Sequence, residues 1–299
     1  RCACGAHMYE TRRRMAQAVR RKELVRMDDL IIVRGGGDLA TAVIHRLWSA
    51  GFIVMALETD KPSSIRRHVA ASEAVYRGSQ TVEGMTARLA ADAAEAEKII
   101  EYGDVPVVKD PGGRYIRIME PEIVVDGIIA KRNTGTTIDM APLTIALGPG
   151  FTAGVDADYV IETMRGHDLG RMISEGSALP DTGVPGNIGG YTKERVMHAE
   201  HEGILRSVHK IGDHVAAGDV IAVIETAEGE KALNASITGV IRGIIHDGYE
   251  VKPGLKVADI DPREDSYKNC FTISDKARCI SGSVLELVCR HMRGRDRGI

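Results

Sequence analysis

Over the first half of the chain, apolar residues fall in short continuous runs separated by glycine-marked turns. Leu30-Ile31-Ile32-Val33 contains no polar position, as a strand buried on both faces requires. Gly35-Gly36-Gly37-Asp38-Leu39-Ala40 follows. Ala42, Val43, Leu47 and Trp48 then recur at helical spacing, and Gly51 stops the helix. A second apolar strand, 52–57, ends at Glu58. A long alanine-rich helix is predicted over about 84–100, followed by strands at 105–108, 123–125 and 144–147. This alternation predicts a mainly parallel sheet with helices on both faces, a Rossmann-like α/β fold.

Beyond the Pro/Gly-rich stretch 180–193 the rhythm changes. Short alternating strands with Gly-Asp turns, as at Gly212-Asp213 and Gly218-Asp219, recur every 8–12 residues. They predict a small all-β unit. The tail reads as a short strand near Cys270 and then a helix capped by Ser274. The expected organisation is an extension at 1–26, an α/β domain at 27–182, a linker at 183–200, a β domain at 201–262 and a strand–helix tail at 263–299.

Composition narrows the function classes. The 299 residues carry 39 basic and 42 acidic side chains, which excludes a generally basic nucleic-acid binder. No run of 18 apolar residues occurs, so no membrane-spanning segment is expected. Residues 1–26 hold eight Arg/Lys against two Glu and lack the apolar stretch of a signal peptide; Met27 is the expected natural start. An odd count of five cysteines predicts reduced thiols and a cytoplasmic location. Cys270, Cys279 and Cys289 are spaced by 8 and 9 residues, which fits no zinc pattern. His198 and His201 lack an evident third ligand, so no metal is expected.

The first glycine loop carries the strongest local chemistry. It reads G-x-G-x-x-A between a strand and a helix. Gly35 permits the tight turn, Gly37 lets a phosphate approach the backbone, and Ala40 keeps helix and sheet close; Gly36 lies between them. Glu58 stands 21 residues past Gly37, where an acid can bind a ribose diol. Asp38 is a departure, since a carboxylate in this loop repels a pyrophosphate unless it points away. Arg66 and Arg67 offer either a contact for an extra phosphate or a solvated face.

A second loop, Gly148-Pro149-Gly150-Phe151-Thr152-Ala153-Gly154, follows another strand and opens on the same sheet edge. Gly148, Gly150, Thr152 and Gly154 are candidate ligand contacts, with 134–139 at the rim; a structural turn is the alternative. His167 beside Asp168 is a candidate proton-transfer pair, against a polar turn. Cys270, ahead of a capped helix, is a candidate thiolate, whereas Cys279 and Cys289 are expected to pack.

Residues 203–261, with Val215, the Gly218-Asp219 turn and Gly239, resemble the biotinyl/lipoyl domain family, a flattened barrel-sandwich. In that family a hairpin-tip lysine carries the cofactor. Glu228 occupies the matching position here and Lys231 lies three residues later, so neither biotin nor lipoate is expected.

The segments GGGDLATAVIHRLWSAGF, IIAKRNTGTTIDMAPLTIALGPGFTAGVDADYVIETMRGHDLGRMI, IRGIIHDGYEVKPGLKVADIDPRED and CFTISDKARCISGSVLELV together resemble the YqeB-like accessory proteins of the selenium-dependent molybdenum hydroxylase system. The resemblance implies assistance to a molybdenum hydroxylase or its maturation machinery, in cofactor maturation or selenium insertion. It transfers no catalytic residue. The expected ligand is nucleotide-containing, of NAD(P) or molybdopterin-dinucleotide type. An NAD(P)-dependent oxidoreductase and a non-enzymatic docking scaffold stay open as alternatives, as does a homo-oligomer.

Overall fold

The computed structural model describes residues 29–297. The expectations placed on 1–26, including Cys2 and Cys4, lie outside the described residues. The chain folds as a mixed α/β structure: a large, mostly parallel sheet, then two antiparallel sheets, then a long helix.

The large sheet has seven parallel strands: β1 (Ile31–Arg34), β2 (Val54–Glu58), β4 (Met85–Ala90), β5 (Val105–Lys109), β6 (Ile123–Asp126), β7 (Leu143–Leu147) and β9 (Tyr159–Ile161). β3 (Ser79–Val82) and β10 (Met172–Ile173) add antiparallel edges, and β8 (Thr152–Ala153) pairs with β11 (Gly176–Ser177) outside it. The order is β10-β9-β7-β6-β1-β2-β5-β4-β3. The chain runs outward from β1 through β2, then returns to β1's other side at β6. Strand order therefore reverses between β1 and β6, where open α/β sheets form a crevice at their carboxyl edge.

One face of the sheet packs Ile31, Val33 and Ile145 against α1 (Asp38–Ser49) and α5 (Asp275–Arg297). α5 contributes Ile280, Val284, Leu287 and Val288, so the chain leaves for the β unit and returns to complete the first core. The other face packs Leu30, Ile32 and Met55 against α3 (Ala93–Tyr102) and α4 (Arg114–Met119). The short helix α2 (Ala74–Arg77) lies ahead of β3.

The helix predicted over 84–100 is corrected to a hairpin followed by a shorter helix. Glu83 and Gly84 both take positive φ, 45° and 89°, and form a two-residue turn between Val82 and Met85. Met85 and Ala87 then alternate into the core as strand residues do. α3 is capped by Asp92, whose carboxylate accepts from Glu95 N at 2.9 Å while Glu95 Oε2 accepts from Ala91 N. The Glu83-Gly84 turn and the Asp92 cap, rather than the alanine content, set these boundaries.

The β unit comprises two four-stranded sheets. One orders β12 (Val196–His198), β19 (Lys256–Asp261), β17 (Gly239–Ile244) and β14 (His214–Val215). The other orders β16 (Gly229–Asn234), β15 (Val220–Thr226), β13 (Gly203–Ser207) and β18 (Glu250–Val251). β12 lies within the segment expected to be a linker. The inner faces share Leu205, Ile221, Ile241 and Ile260 in one core. No helix among the described residues is long and apolar enough to cross a membrane.

Candidate functional site

The segment 61–67 is sandwiched between the carboxyl edge of the large sheet and the β unit. Ile244 N donates to Ile65 O at 2.9 Å, and Arg67 Nε donates to Ile244 O at 2.7 Å. A Cβ on Gly243 would sit 2.8 Å from Ile65 O, so the backbones touch there. Tyr76 stacks on His246 with centroids 3.9 Å apart and planes within 6°. Beside them the buried carboxylate of Glu73 meets Arg67, Arg77 and His246 at 3.5–3.7 Å. Tyr76 Oη donates to Pro62 O, and burial pushes its hydroxyl up beyond the ordinary tyrosine range.

The glycine loop after β1 is built as its motif requires, with one exception. Gly35, at φ 94°, fits a turn in which a Cβ would press on the Gly127 carbonyl at 3.2 Å. Ala40 lies against Gly127, where an added Cβ would come within 2.9 Å of the alanine methyl. The small residue thus sets the approach of helix to sheet. Gly37, at φ −66°, is the residue preceding α1; a Cβ there would meet only Ser64 Oγ, at 3.6 Å. Among the described residues, no protein acceptor takes the amides of Gly37, Asp38 or Leu39. Three open donors at a 12-residue helix's start favour an anion. Ser64, hydrogen-bonded to Ser72 at 2.9 Å, adds a hydroxyl beside Gly37.

The exception is Glu58. Its Oε2 accepts from Gly36 N at 2.7 Å and its Oε1 from Thr59 N at 2.8 Å. The acid expected to bind a ribose diol instead braces the loop, which corrects that assignment. Burial raises its carboxyl above the usual range against the pull of these two bonds. Gly36 is closed from the other side too: Ser72 N donates to its carbonyl, and a Cβ would lie 2.9 Å from that nitrogen. Gly37 and the helix start are therefore open where Gly36 is closed.

Asp38 does not face this site as a bare charge. Arg66 Nη1 donates to it at 3.1 Å, while Arg66 Nη2 donates to the carbonyls of Asn269 and Thr272. Arg66 is 6% exposed. Neither Arg66 nor Arg67 presents a solvated face; each ties the sheet edge to the β unit or the tail, which corrects the solvated-face expectation.

The loop after β7 opens on the same edge, but β6 stands between β1 and β7. Its glycines are occupied by packing. A Cβ on Gly148 would meet Thr163 Oγ1 at 2.7 Å, and one on Gly150 would meet Arg132 Cα at 2.5 Å. Thr152 bonds to Asp156 through its amide and to Ser177 through its hydroxyl; Gly154 N donates to Ala157 O. Thr152 and Gly154 thus bond within the turn itself.

His167 and Asp168 sit on an exposed turn, where the carboxylate accepts from Arg171 at 3.2 Å rather than from the neighbouring imidazole. Cys270 is corrected outright. It belongs to a 3-10 turn, Glu264–Phe271, instead of a strand, and its side chain joins the β unit's core with no exposure. Burial raises its thiol, although Arg242 and Arg66 pull the other way. Ser274 does cap α5, accepting from Ala277 N at 3.2 Å, but the Cys270 thiol lies against Ile241 O and Ser266 O, each at 3.7 Å. Cys279 and Cys289, expected to pack, are exposed.

Sequence reasoning missed a buried polar knot beside the crevice. Arg34 and Asp126 are register partners at the ends of β1 and β6, bonded at 3.2 Å; Thr136 donates to the same carboxylate oxygen at 2.5 Å. All three are at most 3% exposed. A charged residue closing an apolar strand just before glycine was the available signal. An open groove of about 990 Å³ between α4 and residues 137–142 draws on the residues that precede β6 and β7, away from the glycine loop.

At the tip of the β15–β16 hairpin, Thr226 and Gly229 flank Ala227 and Glu228, with Glu228 N donating to Thr226 Oγ1 at 3.1 Å. Lys231 lies within β16 opposite Ile224, off the tip.

Comparison with known proteins places these features in context. The biotin-requiring enzyme family, a biotin/lipoyl model, matches residues 196–260. Among solved structures, the ectoine utilization protein EutE (DoeB) of Ruegeria pomeroyi aligns with 78% of this chain and 86% of its own, at 12% identity and a TM-score of 0.25. An aspartoacylase family protein of Mesorhizobium loti covers 79% and 85%, at 12% identity and 0.26. Likeness at that level carries no argument. The chain spans about half the length of the curated relative it matches, 47% of it. Over 257 residues, 86% of its own length, the chain is 52% identical to the "Uncharacterized protein YqeB" of Escherichia coli (strain K12), a similarity that supports the YqeB-like resemblance carried by its central segments.

Proposed function

We propose that this chain is an accessory protein for maturation of a selenium-dependent molybdenum hydroxylase, and that it holds a phosphate-bearing ligand of nucleotide or pterin-dinucleotide type at the edge of a Rossmann-like sheet. The observation that carries the ligand half is the start of α1. There, open amides, an unobstructed Gly37 and the Ser64 hydroxyl converge at the strand-order reversal. The hydroxylase half rests on the sequence resemblance; the similarity to YqeB over most of the chain supports the family likeness. The β unit reads as a barrel-sandwich with Glu228 at the tip that carries a lysine in cofactor-bearing relatives, which favours docking over a swinging arm.

The dehydrogenase alternative loses its main residue. With Glu58 committed to Gly36 and Thr59, no acid is presented for a ribose diol from that position. The test is cellular. A selenium-dependent hydroxylase expressed with the parent chain should be activated, and one expressed with Gly37→Val should stay near the level seen without the chain. Equal activation by parent and variant contradicts the role of the glycine loop. No activation by the parent contradicts the accessory role itself.

A further inference from the structure

Next to Asp38 the β unit turns a group of cations toward the sheet edge. Arg242 is the extra residue of a β-bulge, where the β17–β19 register shifts between Ile241 and Gly243. A second shift, between Met197 and His198 against β19, leaves Val257 as the extra residue, so Lys256 falls on the same side of β19 as Asp259. Bulges re-aim side chains out of the regular alternation. Arg242 contacts Asp259 at 3.6 Å, and the same carboxylate already accepts from Arg195. Lys256 has no ion pair within 4.0 Å among the described residues, yet it is influenced by both Asp259 and Asp38.

The charges around this cluster do not cancel. Arg66, Arg195, Arg242 and Lys256 face Asp38 and Asp259. Asp261 is nearby, but both its oxygens are held by Arg263. Two positive charges remain in surroundings where burial pushes both Lys256 and Arg242 below their ordinary ranges. Among the described residues, the buried Nε–H groups of Arg66 and Arg242 have no hydrogen-bond acceptor. Native structures rarely leave such donors unmatched, because an unpaired buried charged donor is costly. Arg66 links the two halves: it bonds Asp38 at the start of α1, and its backbone lies 3.2 Å from where Gly243 would carry a Cβ.

We propose that the start of α1 and the β17–β19 edge together form a two-phosphate site, in which the α1 amides hold one phosphate and Lys256 with Arg242 hold the next. This deepens the sheet-edge reading and rests on it. The β unit then serves as the cationic half of the binding site rather than as a cofactor carrier, and a diphosphate is favoured over a monophosphate.

Calorimetric titration of the full chain with inorganic pyrophosphate, ADP and AMP tests it. The parent should bind pyrophosphate and ADP at least tenfold more tightly than AMP. Lys256→Gln should weaken pyrophosphate and ADP tenfold or more while changing AMP less than threefold, and Lys256→Arg should restore the parent's preference. If circular dichroism shows Lys256→Gln unfolded, Arg242→Gln carries the same expectation. Pyrophosphate and ADP affinity unchanged in these glutamine variants, with Gly37→Val still abolishing ADP binding, would remove the cationic half and keep the sheet-edge reading. Absence of any ADP or pyrophosphate binding by the parent would overturn both.

Discussion

Two glycine loops open on the same sheet edge, one after β1 and one after β7, and they do different work. In the β7 loop the space before the glycines is filled by the protein: Gly150 abuts the Arg132 backbone, Gly148 abuts Thr163, and Thr152 bonds to Asp156 and Ser177. In the β1 loop, Gly35 and Gly36 are spent in the same way, against Gly127, Ser72 and Glu58. Gly37 and the amides after it are not. Glycine density therefore marks close backbone approach in both loops, and open space before unengaged donors, as at Gly37, distinguishes a place for a ligand from a tight turn.

The largest effect expected from this contrast is at Gly150. At φ 103°, with a Cβ position 2.5 Å from Arg132 Cα, Gly150→Ala should cost roughly 2–4 kcal/mol in thermal or urea unfolding. Gly37→Ala should stay within about 1 kcal/mol of the parent: φ is ordinary, and the weaker cap is offset by a less flexible unfolded chain. Equal losses at the two positions would erase the distinction.

Glu58 gives a smaller stability effect. Removing its carboxylate leaves the Gly36 amide without its acceptor, so Glu58→Ala should cost about 1–3 kcal/mol in the same unfolding assay. Its titration has a sign. Burial raises the folded-state value above the unfolded one, so the folded protein binds the extra proton in the window between them. Stability contributed by this group is therefore present below that window and declines as pH rises through it. Glu58→Gln, which does not titrate, should flatten that part of the stability–pH curve; an unchanged slope would contradict the buried, raised carboxyl.

The cysteines give the smallest effect and the same lesson about engagement. Cys270 is buried with a raised thiol, whereas Cys279 and Cys289 are exposed. Brief alkylation of the native protein followed by peptide mass mapping should label Cys279 and Cys289 and leave Cys270 unlabelled. Fast labelling of Cys270 would revive the thiolate expectation.

The sequence made the parallel strands legible, because residues such as Ile31–Val33 and Ile123–Val125 are apolar without alternation, and it made the glycine turn legible through its order. Two features were not visible for physical reasons. The β3–β4 hairpin hid in an alanine-rich run, since alanine suits both helix interiors and the crowded inner side of a strand; only Glu83-Gly84 and the Asp92 cap marked the change. The partners of Glu58, Arg66 and Cys270 depend on chain segments 22–206 residues away folding back, and no local pattern specifies that. Arg66 in particular is read locally as one of a surface pair and becomes the bridge between Asp38 and the tail only once the β unit has docked.

The central claim is that the start of α1 is open to a phosphate while its neighbours are committed. Calorimetric titration of ADP into the parent and into Gly37→Val, both checked for unchanged circular dichroism, tests this most directly. One saturable site in the parent, lost in the variant, is the predicted result. The same affinity in both proteins would contradict it.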